Sequence, residues 1–109
     1  MIVLGIDPGS RRCGYGVVER TGKRLALLES GVLEPEEAPV PERLARILEG
    51  LAEVIARARP AEVSVEQVFA GASARWALVL GQARGVALAA AARAGLPVLE
   101  YAPAEVKAA

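Results

Sequence analysis

Histidine and asparagine are absent from this chain, aspartate occurs once, and cysteine occurs once. Without histidine there is no Ser-His-Asp or Cys-His catalytic arrangement. A lone cysteine excludes an internal disulfide, and Cys/His zinc sites go with it. Such a chain suits a reducing compartment. Aromatic residues are scarce: one Phe, one Trp and two Tyr. No apolar run approaches the ~20 residues that a membrane-spanning helix needs. Met1 leads straight into a strand-like run, with no basic segment before it, so no secretory signal is visible. Neither sign of charge dominates, since thirteen basic and thirteen acidic residues cancel. The sequence pI near 6.3 gives no bulk nucleic-acid signal, and a polyanion would have to meet a local patch. These absences predict a soluble cytoplasmic protein. The lack of Asn and scarcity of Gln fit a thermophile, and fit biased genomic base composition equally well.

What is present points to one domain. The chain has 109 residues, 53% of them hydrophobic, enough for a core of its own. Eleven of the thirteen basic residues are arginine, which prefers planar and phosphate-like partners. Residues 2–7, IVLGID, are nearly all apolar and suit a central buried strand. Pro8-Gly9-Ser10 breaks it with turn residues. Residues 14–20 read as a second strand, Thr21-Gly22-Lys23 as a hairpin turn, and 24–33 as a third strand of mixed propensity. A Pro/Glu-rich loop follows. From Pro41, the spacing of Leu44, Ile47, Leu48, Leu51, Val54 and Ile55 predicts a helix that Pro60 stops. Glu42–Arg46 and Glu53–Arg57 are candidate i,i+4 pairs on its outer side. Residues 62–68 alternate as a fourth strand. Ser73 caps a long Ala-rich helix over about 74–94, closed by Gly95 and Pro97. Residues 97–101 form a fifth strand, and Pro103 opens a further helix. The order is β-β-β-α-β-α-β-α, an α/β fold beginning with an antiparallel meander.

The single aspartate, Asp7, ends the first apolar strand. Asp before Pro-Gly is a common turn starter. It is also a short, stiff carboxylate at a strand's C-terminal end, where open α/β sheets build their sites. Glu66 ends the fourth strand. It sits either on a solvated strand face or, if that strand lies beside the first, at the same edge as Asp7. Two carboxylates at one edge repel unless a cation lies between them. Hard divalent ions such as Mg²⁺ take oxygen ligands of this type, and pairs of them clamp the oxygens exchanged in phosphodiester cleavage. Phe69 lies in a Gly/Ala loop as either a core anchor or an aromatic plate for an unstacked base. Arg11, Arg12, Arg75, Arg84 and Lys107 are solvated charges taken singly, and phosphate holders if they cluster. Gly81 and Gly85, inside the long helix, suggest a close backbone approach by the sheet or by a second subunit. Cys13 reads as an inert packing residue.

Four blocks together carry a specific resemblance: LGIDPGS at 4–10 with GYGVV at 14–18, VEQVF at 65–69, LGQARGVALAAA at 80–91, and PVLEY at 97–101 with VK at 106–107. The chain resembles the RuvC-type Holliday junction resolvases over essentially its whole length. The resemblance implies a ribonuclease H-like fold: a mixed five-stranded sheet with helices on both faces. It implies a homodimer, formed through the long helix at 74–94, that cuts four-way DNA junctions by symmetric nicks with two Mg²⁺ or Mn²⁺ ions per site. Asp7 and Glu66 match metal-binding carboxylates, and Lys107 matches a basic residue acting near the cut phosphate. Phe69 matches the aromatic that stacks on junction bases, with Ser10, Arg11, Arg75 and Arg84 expected at the DNA. RuvA and RuvB, the branch-migration proteins, are the implied partners. The family's remaining metal ligands lie on a C-terminal helix that these 109 residues are expected to lack, leaving the chain by itself inactive.

Two other readings compete. D7-P-G-S10 also fits the first phosphate loop of the actin, chaperone and sugar-kinase superfamily, although the second phosphate loop and adenosine segment are not recognisable. A non-catalytic, dimerising junction-binding fragment keeps the fold and drops the chemistry.

Overall fold

Five strands form one mixed sheet in the order β3-β2-β1-β4-β5, in a computed structural model that describes residues 1–66 and 73–101. The strands are β1 (Ile2–Asp7), β2 (Cys13–Thr21), β3 (Arg24–Leu33), β4 (Glu62–Glu66) and β5 (Val98–Tyr101); the helices are α1 (Val40–Ala58) and α2 (Ala74–Arg93). β1, β2 and β3 make the expected antiparallel meander. Its tight turn is a two-residue loop whose first residue, Gly22, has φ +63, a conformation glycine adopts without Cβ strain. β4 then crosses back to lie parallel to β1, with Leu4 opposite Val63 and Ile6 opposite Val65. β5 extends the parallel half. The expected helix from Pro103 and the last two residues of the expected 62–68 strand lie outside the described residues.

Alternation decides which face is covered. Leu4, Ile6, Cys13, Val17, Val63 and Val65 point to one side. There they form a single core with Ile47, Leu51, Val54 and Ile55 of α1 and with Ala87, Ala90 and Ala91 of α2. Burying each of the larger aliphatic side chains contributes about 1.5–3 kcal/mol. Both described helices therefore pack on one face, and no described helix covers the other. That second face is left with Val32 and Leu27 exposed by 59% and 66%.

α1 begins one residue before Pro41, with Pro39 at its cap position. It ends at Arg59, which adopts a left-handed φ of 51 and donates its N–H to the Ile55 carbonyl at 2.9 Å. The expected pairs Glu42–Arg46 and Glu53–Arg57 do not form among the described residues. Arg57 turns instead to Glu29 on β3, and its Nη2 donates to the Tyr15 hydroxyl at 3.1 Å. That hydroxyl in turn donates to Glu29 at 2.7 Å. A charged partner held across tertiary structure, with a second hydrogen bond, outcompetes a solvated i,i+4 pair. The network holds the Glu29 carboxyl below the usual carboxylate range, chiefly through the Arg57 hydrogen bond. α2 starts as expected, with Ser73 Oγ accepting from the Trp76 backbone N–H at 3.2 Å. No described helix is long and apolar enough to cross a membrane.

Candidate active site

Asp7 and Glu66 are each the last residue of a strand, and those strands are parallel neighbours. Continuing the register one step past Ile6 and Val65 puts the two carboxylates side by side, on the face without helices. Both line a shallow trough of about 500 Å³. Its floor is paved by Gly5, Gly14 and Gly16, whose missing side chains leave the sheet surface bare around the carboxylates. The Asp7 side chain is exposed and forms no hydrogen bond or ion pair with any described residue. An exposed carboxylate beside a second carboxylate is the donor set that a hard divalent cation prefers. The fit is partial, because no cluster of three or more potential metal ligands occurs among the described residues.

The loop that follows Asp7 is held tightly. A Cβ on Gly9 would lie 2.1 Å from the Arg12 carbonyl oxygen, so only glycine fits there. Cys13, at the start of β2, is 1% exposed. Burial pushes its thiol up to about 11, with a backbone hydrogen bond at Gly9 opposing and the charge of Asp7 adding to the rise. It is therefore a protonated packing residue at neutral pH, as its sequence context predicts.

The basic side chains sort into two groups. Pro8 through Arg12 line one wall of a second basin, of about 700 Å³, at the same end of the sheet. Arg75, from the first turn of α2, lines it too. Ser10 belongs to that wall but is itself buried, 7% exposed. Arg12 pairs with Glu34 at 3.1 Å. Arg84 stands apart, ion-paired with Glu100 of β5. Phe69 and Lys107 lie outside the described residues. Sequence reasoning missed two members of the basin, Arg43 of α1 and Trp76 of α2. Arg43 reads as one more exposed helix charge until α1 is docked. Trp76 had a signal, however. It continues the inward stripe Leu80, Ala83, Ala87 and Ala90 at helical spacing, yet is 56% exposed. Gly81 and Gly85 have nothing described within 4 Å of where their Cβ atoms would be, so the sheet is not what approaches them.

The profile of the family described as crossover junction endodeoxyribonuclease RuvC matches residues 3–109. A relative of that description from Anaeromyxobacter sp. (strain K) is 77% identical over 107 residues, covering 98% of this chain and 58% of the relative. One from Halorhodospira halophila is 56% identical, over 96% of this chain and 63% of the relative. The chain thus spans less than two thirds of the length of these curated relatives. Among solved structures, T. thermophilus RuvC in complex with Holliday junction substrate superposes with a TM-score of 0.89 at 40% identity, covering 98% of this chain and 66% of that one. The yeast mitochondrial Holliday junction resolvase Ydc2 shares the fold, with a TM-score of 0.64 at 18% identity over 93% of this chain and 52% of its own.

Proposed function

Because the chain belongs to the RuvC family of crossover junction endodeoxyribonucleases, we propose that it is the sheet-bearing part of a nuclease that resolves four-way DNA junctions. The observation that carries this reading is the delivery of Asp7 and Glu66 by adjacent parallel strands to one open trough. Two carboxylates there would hold Mg²⁺ or Mn²⁺, whose charge offsets that of the phosphodiester. Asp7 and Glu66 fix the position of the cut. Water adds to phosphorus in line with the departing 3′ oxygen, the P–O3′ bond breaks, the water's proton is lost to solvent, and the 3′ oxygen takes a proton from solvent to leave as a hydroxyl. Catalysis of this kind is positioning and charge neutralisation. Lys107 serves the cut phosphate and Phe69 stacks on a junction base. Ser10, Arg11 and Arg75 belong to the DNA-facing end, with Ser10 shaping the loop, while Arg84 would reach DNA by giving up Glu100.

The nicks are symmetric because the protein acts as a homodimer. The outer side of α2 suits that contact: Leu78 is 67% exposed, and Gly81 and Gly85 leave room for a close backbone. RuvA and RuvB are the partners that bring junctions to it, in the cytoplasm. The remaining metal ligands belong to the length that the relatives have beyond the matched part. The 109-residue chain by itself is expected to bind junctions without cutting them.

The test is cleavage of a labelled synthetic four-way junction with Mg²⁺, using the chain extended to the length of its relatives. Paired nicks are expected, and Asp7→Asn removes them by a factor of at least ~10³ while junction binding stays within a few-fold. Undiminished nicking by Asp7→Asn overturns the assignment.

A further inference from the structure

The second basin is lined by the β1–β2 loop, the N-terminal part of α1 and the first turns of α2. Its charge is one-sided. Arg11, Arg12, Arg43 and Arg75 line it, and no acidic residue is among its described lining. Among the described residues only Arg12 of these four has an ion-pair partner, Glu34, which lies outside the basin. Arg43 is held in place by donating from Nη1 to the Ala38 carbonyl at 2.8 Å, while its Nε is buried with no acceptor among the described residues. The N-terminus of α2 adds its partial positive charge to the same side.

Trp76 forms the aromatic wall. It lies on the core-facing stripe of α2, and remains more than half exposed. Leu78, Gly81 and Gly85 face the opposite way, so pairing of two α2 helices through that outer side leaves Trp76 free.

We infer that this basin is a nucleotide subsite, in which Arg11, Arg43 and Arg75 take a backbone phosphate and Trp76 stacks on an unpaired base of the same strand. Planar guanidinium groups suit phosphate oxygens bidentately. An exposed indole offers a stacking plate that tolerates any base. Pro8 directly follows Asp7, so the subsite would hold strand flanking the cut and thereby fix its register. The inference rests on the nucleic-acid reading above.

Trp76 is the only tryptophan in the chain, so its emission reports this basin alone. Titration of the 109-residue chain with a short unlabelled oligothymidylate at low salt should quench that emission saturably. Arg43→Gln and Arg75→Gln should each weaken binding about tenfold. Arg93→Gln, in the last turn of α2, should leave it within twofold. Arg75 is on the exposed first turn, so its variant carries the test if Arg43→Gln does not fold. Unchanged emission overturns the subsite, as does equal weakening by Arg93→Gln. Emission that shifts with protein concentration and ignores DNA overturns it too, in favour of a second copy covering the basin. Junction cutting by the extended chain without Trp76 quenching removes the subsite and leaves the resolvase reading. Arg75-dependent quenching without junction cutting does the reverse.

Discussion

At the residue scale, the positions that shape the site are held by constraints that differ in kind. Gly9 is fixed by steric exclusion, since any Cβ would meet the Arg12 carbonyl at 2.1 Å. Gly9→Ala should force the loop after Asp7 open and cost about 1–3 kcal/mol. Thermal melting would show it as a drop of several degrees, and junction binding should weaken with it. Gly14 is different, because an added Cβ would meet Asp7 Cβ at an ordinary 3.7 Å. Its value lies in the bare floor it leaves beside the carboxylates. Cys13 carries a pH signature. Its folded-state pKa, about 11, lies above its ordinary value of 9.0 because burial disfavours the thiolate. Below pH 9 both folded and unfolded thiols are protonated, and the burial contribution is intact. Between pH 9 and 11 the unfolded thiol ionises first, so stability should fall by roughly 2–3 kcal/mol. Denaturant unfolding of wild type against Cys13→Ala across that range checks this: the slope should be shallower in the variant, the remainder belonging to the Tyr15 hydroxyl, which its hydrogen bond to Glu29 also holds above its ordinary value. Alkylation of the native thiol at pH 8 should be slow until the chain is unfolded. Asp7 was legible in the sequence because it stands alone among twelve glutamates at the end of an apolar strand. Arg43 was not, because its neighbours in the basin come from loops and helices far away in sequence.

At the element scale, punctuation carried most of the information. Pro8-Gly9, Gly22, Pro60 and Gly95 bound elements within a residue or two of where the structure places them, because each imposes a backbone conformation locally. Side-chain pairing was less legible. Arg57 had a helical partner at the right spacing, but β3 offered Glu29 together with the Tyr15 hydroxyl. The irregularity opposite Val17 and Val18, where Leu28 is left without a partner in the ladder, also has no local sequence signal. It shifts Leu27 to the helix-free face. Arg59 closes α1 in a left-handed conformation that costs a side-chain-bearing residue roughly 1–2 kcal/mol. Arg59→Gly should therefore raise unfolding stability by up to about 1 kcal/mol, once the extra flexibility of unfolded glycine is offset. Chemical denaturation would read this as a higher midpoint at an unchanged slope.

At the scale of the whole molecule, the topology explains the placement of the chemistry. A meander followed by a crossover brings β4 against β1 in parallel, so the ends of two strands far apart in sequence share one edge. Both described helices cover one face, and the carboxylates open onto the other. The sequence left open whether β4 lies beside β1, because alternation shows which residues share a face and not which strands are neighbours. The resemblance implied helices on both faces, whereas the two described helices share one, and nothing in composition says which face a helix chooses. The central claim is that Asp7 and Glu66 act as one site. Mn²⁺ binding to the 109-residue chain, followed by water proton relaxation, tests it most directly. A single weak site should be lost to the same extent in Asp7→Asn and in Glu66→Gln, and the double variant should lose nothing further. Losses that add independently, or Mn²⁺ binding indifferent to both substitutions, would contradict a shared site.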